Sequence, residues 1–185
     1  CGSGTIVIEA ALMAVNRAAG SGREFAFQAW PSFKRSLWER LRKKAASEEN
    51  ARPVVNLFGS DISPLAVESA KRNAEKAHVK DMTVFSCRNC FDFNKDGSAG
   101  RQGLVIANLP YGRRAFATPQ MPAGDDPMAF YQQWGAHLKR YCRGWTYGFI
   151  AADRAFIKIA GLPAAKELCF ENGGIPVVYV SGTIP

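Results

Sequence analysis

The stretch from Val54 to Ala77, VVNLFGSDISPLAVESAKRNAEKA, limits the fold more than any other part of the 185-residue chain. A short apolar run ends on Asp61, and within three residues the pattern changes to the 3.6-residue period of a helix. Ser63 is suited to accept from the first unpaired amides of that helix, and Pro64 has its φ already set for a first helical position. Ala66, Val67, Ala70, Ala74 and Ala77 then recur on one face. A buried strand that feeds straight into an amphipathic helix is half of a strand–helix–strand crossover, and that unit belongs to a parallel sheet.

The same alternation runs through the rest of the chain. Thr5 to about Ala19, TIVIEAALMAVNRAA, is apolar around most of its circumference, as a helix packed on a sheet would be. MTVFSC and GLVIAN read as strands separated by the polar loop NKDGSAGRQ. A helix is predicted from about Met128 to Tyr141, with Phe130, Tyr131, Trp134 and Leu138 at helical spacing. WTYGFIAA is a further strand and RAFIKIA a short helix. AKELCFENGGIPVVYVSG gives two strands joined at Asn172-Gly173-Gly174, a hairpin signal. The expectation is one α/β domain over residues 1–185, its sheet mostly parallel, covered on both faces, and closed by a C-terminal antiparallel hairpin. Because a glycine loop such as CGSGT needs a strand before it to aim its amides, the expected first strand lies outside the chain, which then is a piece of a longer protein.

Lys and Arg outnumber Asp and Glu by 24 to 16, giving a net charge of +8 that favours a polyanionic partner or simple solvation. Part of the excess is gathered in FKRSLWERLRKKAASEE, where Arg40, Arg42, Lys43 and Lys44 share a predicted helix with an apolar stripe of Leu37, Trp38 and Leu41. Arg113 and Arg114 add two cations after the GLVIAN strand. Five cysteines, an odd and scattered set, argue against a disulfide framework and for a reducing compartment. Cys87 and Cys90 form one C-x-x-C, but no second pair accompanies it and His78 and His137 stand alone, so no metal is expected. No apolar run approaches the ~20 residues of a membrane span, and no signal-peptide order is present, so the expected setting is the cytoplasm.

Three places carry chemistry. Gly2 and Gly4 would let the backbone approach a ligand, with the following helix start favouring a group such as a carboxylate; a tight turn into a helix explains them equally. Asp61, at the end of a strand, is placed as the acidic residues that hold ribose hydroxyls in nucleoside-binding α/β folds, or as a helix-start residue beside Ser63. In ANLPYG, Asn108 ends an apolar strand and is followed by Pro110 and Tyr111. The lone pair of a base's exocyclic amine is delocalised into the ring and must be drawn out of conjugation. Two acceptors aimed at its N–H bonds, the Asn108 oxygen and a backbone carbonyl near Pro110, would favour a pyramidal nitrogen and stabilise its developing charge. Pro110 stiffens the turn, Tyr111 would stack on a base swung out of its helix, and Gly112 lets the loop turn away. A polar loop capping a strand, with Tyr111 as a lid, is the alternative.

CGSGTIVIEAALMAVNRAAG, FGSDISPLAVESAKRNAEKA and ANLPYGRR together resemble the catalytic domain of the RlmL-type methyltransferases. The resemblance covers almost the whole chain. It implies a Rossmann-like class I fold and methyl transfer from S-adenosyl-L-methionine to the guanine exocyclic amine of large-subunit ribosomal RNA. It further implies that Gly2, Ser3 and Gly4 hold the methionine end of the cofactor and that Asp61 and the adjoining Ile62 hold its ribose, with Asn108 alongside. Asn89 falls where relatives more often carry an aspartate near the adenine amino group, and its oxygen can still accept that bond. The family's Asn-Pro-Pro-Tyr box stands here as Asn108-Leu109-Pro110-Tyr111. Relatives begin this region with Asp-Pro and usually carry an RNA-binding THUMP domain before it. The same box also serves adenine amino methyltransferases of DNA or RNA and protein glutamine methyltransferases, and a non-catalytic RNA-binding fragment is a third alternative.

Overall fold

The computed structural model describes residues 1–50, 57–93, 102–110 and 126–185. Two compact units follow each other along the chain, Cys1–Cys87 and Arg88–Pro185.

The first unit contains α1 (Thr5–Ala14), α2 (Arg35–Ser47), β1 (Leu57–Asp61), α3 (Pro64–Lys76) and β2 (Thr83–Cys87). The expected crossover is present: β1 and β2 pair in parallel, Leu57 opposite Thr83 through Asp61 opposite Cys87, with α3 between them in sequence. Ser63 caps α3 by accepting from the Ala66 amide at 3.3 Å, and Pro64 opens the helix. Ile8 and Ala11 of α1 and Val67, Ala70 and Ala74 of α3 form one apolar cluster with Val79 and Phe85. Phe58 and Val84, which alternate out of that cluster along their strands, are exposed among the described residues. Val54 to Asn56, expected as the start of β1, lie outside the described residues.

α1 stops at Ala14, five residues short of the expected end. Asn16 takes a left-handed φ of 55° and gives its side-chain amide to the Glu48 carbonyl, while Arg17 pairs with Glu49 and donates to the Ala77 carbonyl. These long-range bonds recruit residues that a helix would have kept.

The second unit holds β3 (Leu104–Asn108), α4 (Pro127–Tyr141), β4 (Thr146–Ala151), α5 (Ala155–Ala160), β5 (Lys166–Asn172) and β6 (Ile175–Thr183). Its sheet has the order β3-β4-β6-β5, with β3–β4 parallel and the other two pairs antiparallel. Among the described residues, parallel and antiparallel pairs therefore balance, two of each, a larger antiparallel share than "mostly parallel" anticipates. The hairpin turns through Gly173 and Gly174, both at left-handed φ, with Asn172 opposite Ile175. Tyr147 and Phe149 of β4, Leu138 of α4 and Phe156 of α5 are fully buried and centre the larger apolar cluster.

Candidate active site

The first unit brings its predicted residues together. Gly2 and Gly4 both lie in the left-handed region, at φ of 55° and 84°. A Cβ at Gly4 would come within 2.9 Å of the Ala70 Cβ and 3.1 Å of the Phe85 ring, so the loop can lie on its own core only without side chains there. Gly4 is also the N-cap of α1 and provides no side-chain cap, leaving the first amides of the helix facing outward.

Asp61 is bound to that loop. Its Oδ2 accepts from the Gly2 amide at 2.8 Å and from the Cys1 amino group at 2.9 Å, and its Oδ1 accepts from the Ser63 amide at 3.0 Å. Burial pushes its carboxyl pKa upward, and the hydrogen bonds from the Ser63 and Gly2 amides act against burial to hold it below the ordinary value. The carboxylate is thus ionised at neutral pH, and Oδ1 retains acceptor capacity. Ile62 follows directly and accepts through its carbonyl from the Cys87 thiol at 3.6 Å. Ser3 contributes a carbonyl that accepts from the Asn73 side chain at 3.0 Å. Nothing in the sequence marks Asn73 for this role, because a polar residue on α3 has no periodic signal.

The basic helix α2 has no buried residue. Its apolar stripe does not enter a core: Leu37 and Leu41 are exposed, and Trp38 packs edge-on against Phe25 and Phe27 at 5.9 and 5.3 Å. Arg35 pairs with Glu39, and Lys44 reaches Glu48 at 3.9 Å. Arg40, Arg42 and Lys43 have no ion pair among the described residues.

In the second unit, Asn108 is the last residue of β3, exposed, and its side chain makes no hydrogen bond among the described residues. Leu109 is 4% exposed and its amide donates to the Ile150 carbonyl at 2.9 Å, extending the β3–β4 pairing by one residue. The Pro110 carbonyl accepts from the Tyr131 hydroxyl at 2.9 Å, whereas the Leu109 carbonyl is unbonded among the described residues. Next to Pro110, the Leu109 carbonyl is thus the backbone oxygen left with acceptor capacity among the described residues. Tyr111, Arg113 and Arg114 lie outside the described residues.

Asn89, expected near the adenine, stands at the start of a short turn. Its side-chain oxygen accepts from the Phe91 amide at 3.0 Å and caps the 3-10 turn Cys90–Asp92, so that oxygen is already engaged by its own loop. The loop is tied to α4 where His137 Nε2 donates to the Phe93 carbonyl at 2.8 Å. Burial first, and the Arg140 charge, hold the His137 pKa below its ordinary value against the pull of Phe93 and Asp92, which keeps the ring neutral at pH 7. Burial pushes the thiol of the half-buried Cys90 up to about 11, so it stays protonated near neutral pH. Among the described residues no three His, Cys, Asp or Glu side chains gather as a metal site would require, and no helix is long and apolar enough to cross a membrane.

This arrangement can be set beside known proteins. A ribosomal RNA large subunit methyltransferase K/L from Shewanella frigidimarina is 33% identical over 183 residues, which are 97% of this chain and 24% of that protein. The chain therefore spans about a quarter of the length of such relatives. The crystal structure of SMU.472 complexed with SAH superposes with a TM-score of 0.84 at 27% identity, covering 98% of this chain and 45% of that one. A "predicted N6-adenine-specific DNA methylase" from Listeria monocytogenes superposes with a TM-score of 0.77 at 29% identity, covering 97% of this chain and 44% of that one. Glycine loop, acidic strand end and Asn-Leu-Pro-Tyr box fall within one continuous family match, and the chain belongs to the UPF0020 family, as an RMKL-like methyltransferase domain over residues 1–181.

Proposed function

We propose that this domain methylates an exocyclic amine of a base in large-subunit ribosomal RNA, guanine N2 by preference, with S-adenosylmethionine as methyl donor. The observation that carries the reading is the pair of adjacent unbonded acceptors at the end of β3, the exposed Asn108 amide oxygen and the Leu109 carbonyl. Two acceptors fit the two N–H bonds of a primary amine. Bonds to both strengthen as the nitrogen becomes pyramidal, so they favour the transition state over the bound base.

The first unit's residues fit the cofactor. The left-handed Gly2 and Gly4 and the uncapped start of α1 suit its carboxylate, and the ionised Asp61, with acceptor capacity left on Oδ1, suits a ribose hydroxyl beside Ile62. The oxygen of Asn89, in the second unit, caps its own turn and has a second lone pair with which to accept from the adenine amino group. When bound, S-adenosylmethionine supplies an electrophilic methyl group; Asn108 and Leu109 orient the amine and hold its protons. SMU.472 is a relative at 27% identity whose structure contains SAH, and the curated relatives named as large-subunit ribosomal RNA methyltransferases support the substrate class. Arg40, Arg42, Lys43 and Lys44 on the solvated α2 and Arg113 and Arg114 after the box would meet RNA phosphates. An RNA substrate of this kind puts the reaction in the cytoplasm.

Adenine N6 is the second reading, because the box serves both amines and the Listeria neighbour is named for adenine. Radiolabelled S-adenosylmethionine offered with ribosomal RNA, DNA and a glutamine peptide in parallel tests the choice. Label in guanine of ribosomal RNA is expected; label only in DNA adenine or in peptide overturns the proposal.

A further inference from the structure

The turn that follows Asn108 is held at two points. On one side the Leu109 amide donates to Ile150, with the Leu109 side chain buried. On the other, Pro110 has no N–H to bond, and its carbonyl accepts from the Tyr131 hydroxyl of α4 at 2.9 Å. One peptide plane lies between these anchors, and its oxygen is that of Leu109. With the φ of Pro110 fixed by its ring, pinning the preceding amide and the following carbonyl removes most of the freedom with which that plane could rotate. We propose that Tyr131 is a positioning residue for methyl transfer, clamping the Pro110 carbonyl so that the Leu109 carbonyl and the Asn108 amide keep a fixed angle to the target amine. This rests on the amine-methylation reading above.

The hydroxyl can be separated from the ring that carries it. Phe130 and Phe156 hold the Tyr131 ring, with centroids at 5.8 and 5.7 Å, so the ring stays packed without its oxygen. Burial first, and then the Asp153 charge, raise the Tyr131 pKa, so the hydroxyl remains a protonated donor throughout the neutral range. A cavity of about 310 Å³ adjoins the ring, lined by Asp126, Met128, Asp153 and Phe156 among others. Water from it can partly replace a lost hydroxyl, which sets the effect below that of deleting a direct partner of the reacting atoms.

Tyr131→Phe should lower the single-turnover methyl-transfer rate about 10- to 50-fold, with KM for RNA, affinity for S-adenosylmethionine and melting temperature near wild type. Independently of activity, hydrogen exchange at the Leu109 amide should quicken about tenfold while the amides of β4 keep their protection. A rate within twofold of wild type overturns the proposal, as does a loss that tracks a lower melting temperature or an unchanged Leu109 exchange rate. Should the wild-type protein transfer no methyl to any amine, the functional reading falls, and the exchange measurement still decides whether the clamp exists.

Discussion

Gly2 and Gly4 stand two residues apart in the same loop, yet alanine should cost very different amounts at the two. Both take left-handed φ, which any L residue with a Cβ resists by about 1–2 kcal/mol. At Gly2 a new Cβ meets nothing within 4 Å, so that conformational term is the whole cost. At Gly4 the Cβ would sit 2.9 Å from the Ala70 Cβ and 3.1 and 3.2 Å from Phe85 ring atoms, all within the packed α1–α3–β2 core. Overpacking a core of this kind adds about 1–3 kcal/mol, for a total of roughly 2–5 kcal/mol. At about 2–4 °C per kcal/mol for a chain of this size, Gly4→Ala should melt roughly 2–12 °C below Gly2→Ala. Thermal melting, with urea titration at constant m-value as the second measure, reads the difference. Equal destabilisation of the two variants would refute the claim that Gly4 is required by close approach as well as by φ.

Asn108→Ala should lower the transfer rate about 10²–10³-fold with cofactor affinity and melting temperature retained; near-normal turnover in a single-turnover assay makes Asn108 a strand end and no more. Asp61→Ala should weaken S-adenosylmethionine binding by about 1–3 kcal/mol in calorimetry, and unchanged affinity removes Asp61 from the site. Because the folded-state pKa of Asp61 is depressed, the stability it contributes is present above its unfolded value near 3.8 and is lost as pH falls through the lower folded value; acid melting of Asp61→Asn should lack that component. Changing Arg40 and Lys43 to Gln should weaken RNA binding and make the slope of log K against log salt shallower by roughly 1–2 units; if neither changes, α2 is a solvated helix only.

What could be seen in the sequence was whatever has a local cause. Ser63 and Pro64 announce α3 because capping is settled within one turn, and Asn172-Gly173-Gly174 announces the hairpin because only certain residues accept its backbone. The glycine loop and Asp61 were legible as a pair, and the structure adds the bond between them. What stayed hidden depends on partners distant in sequence. The early end of α1 follows from bonds of Asn16 and Arg17 to residues more than 30 positions away. Helical spacing puts Trp38 on an apolar stripe but does not say what lies opposite it, and its neighbours are other aromatic residues of the same surface segment. Tyr131 was read as a core residue from its place in the 130-131-134-138 pattern, and its aromatic packing is consistent with that; its hydroxyl's bond to Pro110, 21 residues away, leaves no mark on periodicity. The cap that Asn89 gives its own turn leaves no mark in the sequence either, because asparagine and aspartate both serve as caps and as ligand acceptors.

The order β3-β4-β6-β5 also bears on how the protein is made. β6 pairs with β4 on one side and β5 on the other, so the strand made latest among those described is an interior strand of its sheet. Until Ile175–Thr183 has left the ribosome, β4 presents an unpaired edge carrying Tyr147 and Phe149, side chains that are fully buried once the sheet is complete. The nascent second unit therefore cannot finish folding vectorially from its N-terminal end, and passes through an interval in which a sticky strand depends on chaperone cover or rapid elongation. Slow codons before β6 should lengthen that interval and lower the yield of folded protein without altering any residue.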